Sequence, residues 1–245
     1  MDRIVIESLF PEFSSQGGDN GNIMYLRESL PDAEIIETRF TDEPAFASRD
    51  VSMIYLGYMT EAEQEQVAAK LMPYRDRLRT LADTGCVVLF TGNAAEILGR
   101  AIVRDDGRTI AGLGLFDFTT RLSYRHRRTE VFLGELVDGP GEEPLEVAGY
   151  QIRFTEVDGD NSAEPLFRTV VGRGLGAEGG FEGFRRGTLF ATWLAGPVLP
   201  LNPLFTEYLI GLLGSTAPAA YRAVALDAYR KRLEEFRVPG IRMPI

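Results

Sequence analysis

The chain has 245 residues, of which 44% are hydrophobic and 25% are charged, so it is long enough and apolar enough to bury a sizeable core. Its formal net charge of −10 argues against a nucleic-acid partner, because phosphate binding requires a basic surface. One cysteine and one histidine exclude a disulfide framework and leave too few soft ligands for a zinc site. We therefore expect a cytoplasmic protein without cofactor or metal. We also expect no membrane segment, because no apolar run approaches the roughly 20 residues that cross a bilayer.

Strand and helix patterns alternate along the first half of the chain. Short runs rich in β-branched and apolar residues predict strands over residues 3–9, 33–38, 51–57 and 86–91. Helical spacing predicts one helix over residues 22–30. A second helix follows a capping box at Thr60 and Glu63, and Pro73 should kink or split it. The order β-α-β indicates parallel pairing of the strands.

The second half is richer in strands. Runs at residues 130–137, 145–154, 166–171 and 188–194 are separated by Gly and Pro turns, and two helices are predicted over residues 203–213 and 218–236. Consecutive strands joined by turns favour antiparallel pairing. No linker, repeat or low-complexity tract interrupts the chain, so we expect a single domain over residues 1–245.

Five segments carry motifs in a fixed order. They are Gly18-Asp-Asn-Gly-Asn-Ile23, Ser52-Met-Ile-Tyr-Leu-Gly57, Val88-Leu-Phe-Thr-Gly-Asn-Ala-Ala-Glu-Ile-Leu-Gly99, Gly112-Leu-Gly-Leu-Phe-Asp117, and the run from Gly180-Phe-Glu-Gly through Ala195-Gly-Pro to Asn202-Pro203. Together they resemble the cobyric-acid-synthase-like (CobB/CobQ) class I glutamine amidotransferases, in particular the glutaminase subunits of lipid II isoglutaminyl synthases.

This resemblance implies a flavodoxin-like, doubly wound α/β fold with a mostly parallel sheet and an antiparallel extension. It also implies a subunit that releases ammonia for a Mur-ligase-like partner. Active members use a thiolate nucleophile at a strand-to-helix turn and a histidine that moves protons. Counting back from Gly99 places Gly92 in the nucleophile position, and Ala195 stands in the histidine position. Glycine suits such a strained turn, so the fold should tolerate the loss of the cysteine.

Two further changes fall on the same pocket. Where the family's strand ends in consecutive glycines, this chain has Gly57-Tyr58-Met59, and we expect both side chains to occupy space that the family leaves for glutamine. Glu96 stands where the family has a glutamine after the nucleophile, and its carboxylate would repel that of a bound glutamine. The four departures predict that glutaminase activity is lost.

Other residues could in principle replace the missing chemistry. Cys86 lies six positions before Gly92 on the same strand, or roughly 20 Å away, and is expected to be a core residue. Thr91 is closer, but the sequence shows no base that would activate its hydroxyl. His126 lies in the basic stretch 121–128, which is expected to be an exposed hairpin.

Three hypotheses for function follow. The first is a degenerate amidotransferase-like subunit, silent as a glutaminase, that acts with a Mur-ligase-like or other ATP-dependent amidating partner or as a homo-oligomer. The second is a repurposed domain that binds an amino-acid-like ligand. The third is an amidotransferase with relocated catalytic residues, led by Thr91 or Glu96. The candidate ligand-binding residues are Gly57, Tyr58, Thr91, Gly92, Asn93, Glu96 and Ala195.

Overall fold

The computed structural model describes residues 3–175 and 180–241. The strands in its first half are β1 (Val5–Leu9), β2 (Glu34–Thr38), β3 (Met53–Leu56), β4 (Val87–Thr91), β5 (Ala101–Val103), β6 (Thr109–Ala111) and β7 (Thr119–Leu122). Those in its second half are β8 (Arg128–Leu136), β9 (Glu146–Arg153), β10 (Thr155–Asp158), β11 (Pro165–Val171), β12 (Phe181–Arg186), β13 (Leu189–Thr192) and β14 (Leu194–Ala195). The α-helices are α1 (Gly21–Ser29), α2 (Glu61–Leu71), α3 (Arg75–Asp83), α4 (Val198–Leu201), α5 (Pro203–Leu212) and α6 (Arg222–Phe236).

A 10-stranded mixed sheet forms the centre of the molecule, in the order β14-β9-β8-β11-β12-β13-β4-β3-β1-β2. Strands β2, β1, β3, β4 and β13 pair in parallel, and the remaining pairs in this sheet are antiparallel. This confirms the predicted α/β class with an antiparallel extension, which is as large as the parallel part.

Strand β13 joins the two halves of the sheet. It pairs in parallel with β4, with Thr192 opposite Thr91, and antiparallel with β12. The predicted strand over 188–194 is broken at Trp193, because the backbone N–H of Trp193 donates to the Glu182 carboxylate at 2.8 Å instead of to a strand.

The helices cover the sheet with apolar side chains. As Pro73 predicted, a 3₁₀ turn (Met72–Tyr74) separates α2 from α3, and the capping box of Thr60 and Glu63 begins α2. The last helix begins at Arg222 and not at residue 218, because Tyr221 has a left-handed backbone with φ 53°. Among the described residues, no helix is both long and apolar enough to span a bilayer.

A smaller, 4-stranded sheet was missed by the sequence analysis. It has the order β10-β7-β5-β6, and its strands are only three or four residues long, too short to show an alternating pattern. The predicted basic hairpin over 121–128 is also wrong, because β7 pairs with β5 and β10 while β8 belongs to the large sheet. The segment is an exposed connection between the two sheets, and it contains the exposed His126.

A buried carboxylate fixes the loop that follows β2. The side chain of Glu7 is fully buried and accepts hydrogen bonds from the Thr38 hydroxyl at 2.5 Å and from the backbone N–H groups of Ala45 and Phe46 at 2.6 and 2.8 Å. A charged acceptor of this kind needs all its donors to offset its loss of hydration.

We predict that Glu7→Gln lowers the free energy of unfolding by about 2 kcal/mol. In the variant an NH₂ group takes the place of one acceptor oxygen, and this new donor would face the hydroxyl or N–H donors that surround Glu7. Urea unfolding of the variant measures this loss. The exposed Glu43→Gln is the matched control and should change stability little. Equal stability of both variants would contradict the role given to Glu7.

Candidate active-site crevice

The candidate site lies at the edge where the parallel strands β1, β3 and β4 end, the place at which open α/β sheets form a ligand-binding crevice. Gly92 follows β4 directly, is buried, and has a left-handed backbone with φ +59°. That conformation is strained for any residue with a side chain, as expected for the turn that carries a nucleophile in the resembled family. The chain continues as a 3₁₀ helix (Gly92–Leu98) and not as an α-helix.

The side chain of Tyr58 fills the space beside Gly92. A Cβ atom built on Gly92 would lie 2.8 Å from Tyr58 Cβ and 2.9 Å from two ring atoms, closer than real carbon atoms approach. The Tyr58 hydroxyl donates to the Ile152 carbonyl at 3.3 Å, which ties the ring to the antiparallel half of the sheet. The position of a nucleophilic side chain is therefore occupied by another residue.

Below Gly92, Asp19 organises a buried polar network that the sequence analysis missed. Its carboxylate accepts from the Thr91 hydroxyl at 2.5 Å, the Tyr58 N–H at 2.8 Å and the Asn22 amide at 2.9 Å. The Tyr55 hydroxyl lies 3.2 Å from the Thr91 oxygen and donates to the Asp19 carbonyl. Burial raises the pKa of Asp19, while these hydrogen bonds oppose that rise.

This network explains why Thr91 is buried and why position 57 requires a glycine. Thr91 is fully buried and its hydroxyl donates to Asp19. Gly57 must be small, because an added Cβ would lie 2.7 Å from the Tyr55 hydroxyl and 2.9 Å from Asp19 Oδ2. The Tyr58 N–H that follows is already used by Asp19 and is not available to hold an oxyanion.

Asn93 and Met59 form a structural pair. The Asn93 amide accepts from the Met59 N–H at 3.1 Å and donates to the Met59 carbonyl at 2.8 Å, so both of its polar groups are engaged. The Met59 side chain is 1% exposed and packs in the hydrophobic core. The expectation that Met59 fills the glutamine space is therefore wrong, because its side chain lies in the hydrophobic core.

Glu96 is buried and fully hydrogen-bonded. It accepts from the Gln64 amide at 3.0 Å, the Trp193 indole N–H at 3.2 Å, the Thr120 hydroxyl at 3.4 Å and the Thr155 hydroxyl. Burial raises the pKa of this carboxyl group, and the hydrogen bonds and the positive charge of Arg153 counteract part of the effect. The surrounding donors hold the buried Glu96 side chain in place.

A second buried carboxyl group, Glu182, lies on the other side of Trp193. It accepts from the Thr192 hydroxyl and from the Trp193 N–H, both at 2.8 Å. Burial raises the pKa of Glu182 to about 7, although these bonds and Arg153 lower it. Burial and the nearby Arg128 charge lower the pKa of Arg153 to about 10. Sequence reasoning missed both residues because only the pairing of distant strands brings them together.

The remaining candidates supply no catalytic group. Ala195 is 2% exposed, pairs with Tyr150 across β14 and β9, and its methyl group cannot transfer a proton. Cys86 is a core residue whose thiol pKa is raised to about 12 by burial, so it is not a nucleophile at neutral pH. Among the described residues, no three His, Cys, Asp or Glu side chains are grouped to hold a metal ion.

The raised pKa values of Asp19, Glu96 and Glu182 predict a pH dependence of stability. Because the pKa of Glu182 is raised to about 7, the folded protein keeps a proton on this group that the unfolded chain releases near pH 4.5, so stability should fall as the pH rises from about 4.5 to 7; the raised pKa values of Asp19 and Glu96 act in the same direction. Glu182→Gln mimics the protonated group. It should remove the part of the pH-dependent change in unfolding free energy that Glu182 causes, which is on the order of 3 kcal/mol over this pH range. Urea unfolding at several pH values measures it, and an unchanged slope would contradict the assignment.

Comparison with known proteins agrees with this architecture. The family model of the CobB/CobQ-like glutamine amidotransferase domain matches residues 10–203, which is more than half of the chain. The subunit GatD of the glutamine-hydrolyzing lipid II isoglutaminyl synthase from Staphylococcus aureus strain N315 is 26% identical over 198 residues, covering 78% of this chain and 76% of that protein.

Solved structures show the same fold at low sequence identity. A glutamine amidotransferase crystal structure superposes with a TM-score of 0.54 at 16% identity, over 85% of this chain and 99% of that one. The PurLQS structure from Thermotoga maritima gives a TM-score of 0.53 at 13% identity, over 95% of this chain and 100% of the matched chain. The match of the family model over residues 10–203 shows that the chain belongs to the CobB/CobQ-like glutamine amidotransferase family.

Proposed function

We propose that this chain, as one domain over 1–245, is a glutamine amidotransferase-like subunit that no longer hydrolyses glutamine. The contact between Tyr58 and Gly92 is the observation that carries this proposal. Hydrolysis in the family needs a nucleophile and a proton-transferring base, and here the two positions hold Gly92 and Ala195. Tyr58 fills the space of the missing nucleophile, so no side chain reaches the reacting carbon from that turn.

The alternative of relocated catalysis receives less support from the geometry. Thr91 lies beside a carboxylate, which could serve as a base, but the hydroxyl is fully buried beneath the turn. Glu96 is held by donors from three elements and has a raised pKa. Neither group is presented to a substrate in the crevice.

The proposed role is to bind a partner that performs an ATP-dependent amidation, such as a Mur-ligase-like protein. The similar GatD protein is named as a subunit of an isoglutaminyl synthase, and a subunit can be retained for assembly after its own chemistry is lost. A mixture of this chain with the Mur-ligase-like protein of the same cell, analysed by light scattering after gel filtration, should contain a heteromeric complex. Self-association alone would favour the homo-oligomer.

We predict that the purified chain, alone or with its partner, releases no ammonia from L-glutamine above the uncatalysed rate. The S. aureus GatD complex serves as the positive control of the assay, which measures glutamate and ammonia together. The proposal would be overturned if the chain hydrolysed glutamine and a single substitution at Thr91 or Glu96 abolished that activity. This result would support relocated catalysis.

Restoring the cysteine should damage the fold. Gly92→Cys should lower the free energy of unfolding by about 3 kcal/mol, from backbone strain at positive φ and from the collision with Tyr58. Adding Tyr58→Gly should recover a large part of this loss, which a double-mutant cycle measures by urea unfolding.

Gly114→Cys is the matched control for backbone strain, because Gly114 has φ +61° and an added Cβ there meets no atom within 4 Å. Its cost should be limited to the strain. Equal costs for Gly92→Cys and Gly114→Cys, with no coupling to Tyr58, would show that Tyr58 does not block the nucleophile position.

A further inference from the structure

A groove lies between helix α5 and the loop that joins β8 to β9. Leu204, Tyr208 and Leu212 line it from the helix, and Pro140 and Pro144 line it from the loop. Its volume is about 540 Å³, which is within the range of natural ligand-binding clefts. Most of the lining is apolar, and exposed apolar surface of this kind is characteristic of interaction sites.

The groove is remote from the turn at Gly92. The Tyr58 hydroxyl contacts the Ile152 carbonyl near one end of β9, and the loop that lines the groove precedes the other end of this strand. Strand β9 has 8 residues, so its two ends are roughly 25 Å apart. An occupant of the groove would therefore not touch the candidate catalytic positions.

Arg185 holds the two walls of the groove together. Its Nη1 donates to the Val137 carbonyl at the start of the loop at 3.0 Å, and its Nη2 donates to the Tyr208 hydroxyl of α5 at 2.6 Å. The guanidinium carbon also lies 5.6 Å from the centre of the Tyr208 ring, a cation–π distance. Pro140 and Pro144 restrict the backbone of the loop. The groove is thus formed before anything binds, which lowers the entropic cost of binding.

Gly211 widens the groove at a cost to the helix. It lies inside α5 without a positive φ, and the left-handed residue that follows this helix is Gly214, with φ +79°. A Cβ atom built on Gly211 would meet no atom within 4 Å. A helix is less stable with glycine than with alanine, and neither packing nor backbone geometry requires glycine here. The absent side chain instead leaves room in the groove.

The groove and its loop carry negative charge that is only partly balanced. Glu207, on the helix side, pairs with Arg222 at 2.6 Å. Among the described residues, the exposed carboxylates of Asp138, Glu142 and Glu143 in the loop take part in no ion pair. No lysine or arginine in the described part of the chain lines the groove. A basic occupant would be attracted to this surface and an acidic one repelled.

We propose that this groove binds a short segment of a partner protein that carries a basic residue next to apolar ones. The apolar side chains lie against Leu204 and Leu212, and the basic side chain pairs with Glu143. A protein segment is favoured over a small molecule because Pro140 and Pro144 are exposed, and so open a cleft would leave much of a small ligand in water. The inference rests on the proposed role as a binding subunit and adds the surface and the chemistry of the contact.

Binding of short labelled peptides to the full chain, measured by fluorescence anisotropy, tests the proposal. The first peptide consists of leucine and lysine, the second has glutamate in place of lysine, and the third has serine in place of leucine. We expect the leucine–lysine peptide to bind and each of the others to bind at least about tenfold more weakly. Equal binding of the glutamate peptide would overturn the basic segment, and no binding of the leucine–lysine peptide would overturn the site.

Two pairs of variants locate the binding. Gly211→Phe should weaken the leucine–lysine peptide at least about tenfold without lowering Tm, because the new side chain enters open space and replaces a helical glycine. Ala228→Phe, at an exposed position of α6 outside the groove, is its matched control. Glu143→Lys should weaken binding more than Glu43→Lys, which changes the net charge equally at an exposed position elsewhere. Equal effects within either pair would contradict binding in the groove.

The variants also separate this inference from the proposed subunit role. If the chain forms a complex with the Mur-ligase-like protein and Gly211→Phe leaves that complex intact, the groove is not the docking site although the subunit role stands. Self-association of the chain that Gly211→Phe abolishes would identify the occupant as a second copy and overturn the partner segment.

Discussion

The contact between the Tyr58 side chain and the backbone of Gly92 is the constraint on which the crevice depends. A left-handed turn after a parallel strand normally presents a side chain into the crevice, but here the turn carries only a hydrogen atom and a tyrosine ring lies against it. The ring fits because Gly57 brings the preceding backbone close to Tyr55 and Asp19. Two glycines and one tyrosine thus form a single packing unit, and a change in one affects the others.

Asp19 supports this unit from below. It holds the Tyr58 backbone and the Thr91 hydroxyl, and through Asn22 it reaches the Leu199 N–H at the start of the C-terminal helices. A buried carboxylate with this many donors is costly to lose, because each donor would be left unsatisfied. The network stabilises the turn at Gly92 through Thr91 and Tyr58. The proposed loss of glutamine hydrolysis is consistent with this packing.

The sequence predicted the parallel core and the turn at position 92, because both depend on local patterns. The position of the turn was found by counting residues back from Gly99 within one strand–turn segment. Runs of β-branched residues indicate the buried strands. Asp19, Glu182 and Arg153 could not be assigned in the same way, because only the folded chain brings Asp19 to Thr91, 72 positions away, and Glu182 on β12 near Arg153 on β9. Met59 was predicted to face the glutamine space, whereas its side chain packs in the hydrophobic core, because contacts between distant segments decide its direction.

The most direct measurement of the central claim is covalent labelling with an electrophilic glutamine analogue such as 6-diazo-5-oxo-norleucine, read by mass spectrometry of the intact chain. The account predicts no adduct, because neither Gly92 nor Ala195 offers a nucleophile and the Cys86 thiol is buried with a pKa of about 12. The glutamine-hydrolyzing S. aureus relative, treated in parallel, should be labelled. A stoichiometric adduct on this chain, mapped to any residue of the crevice, would contradict it.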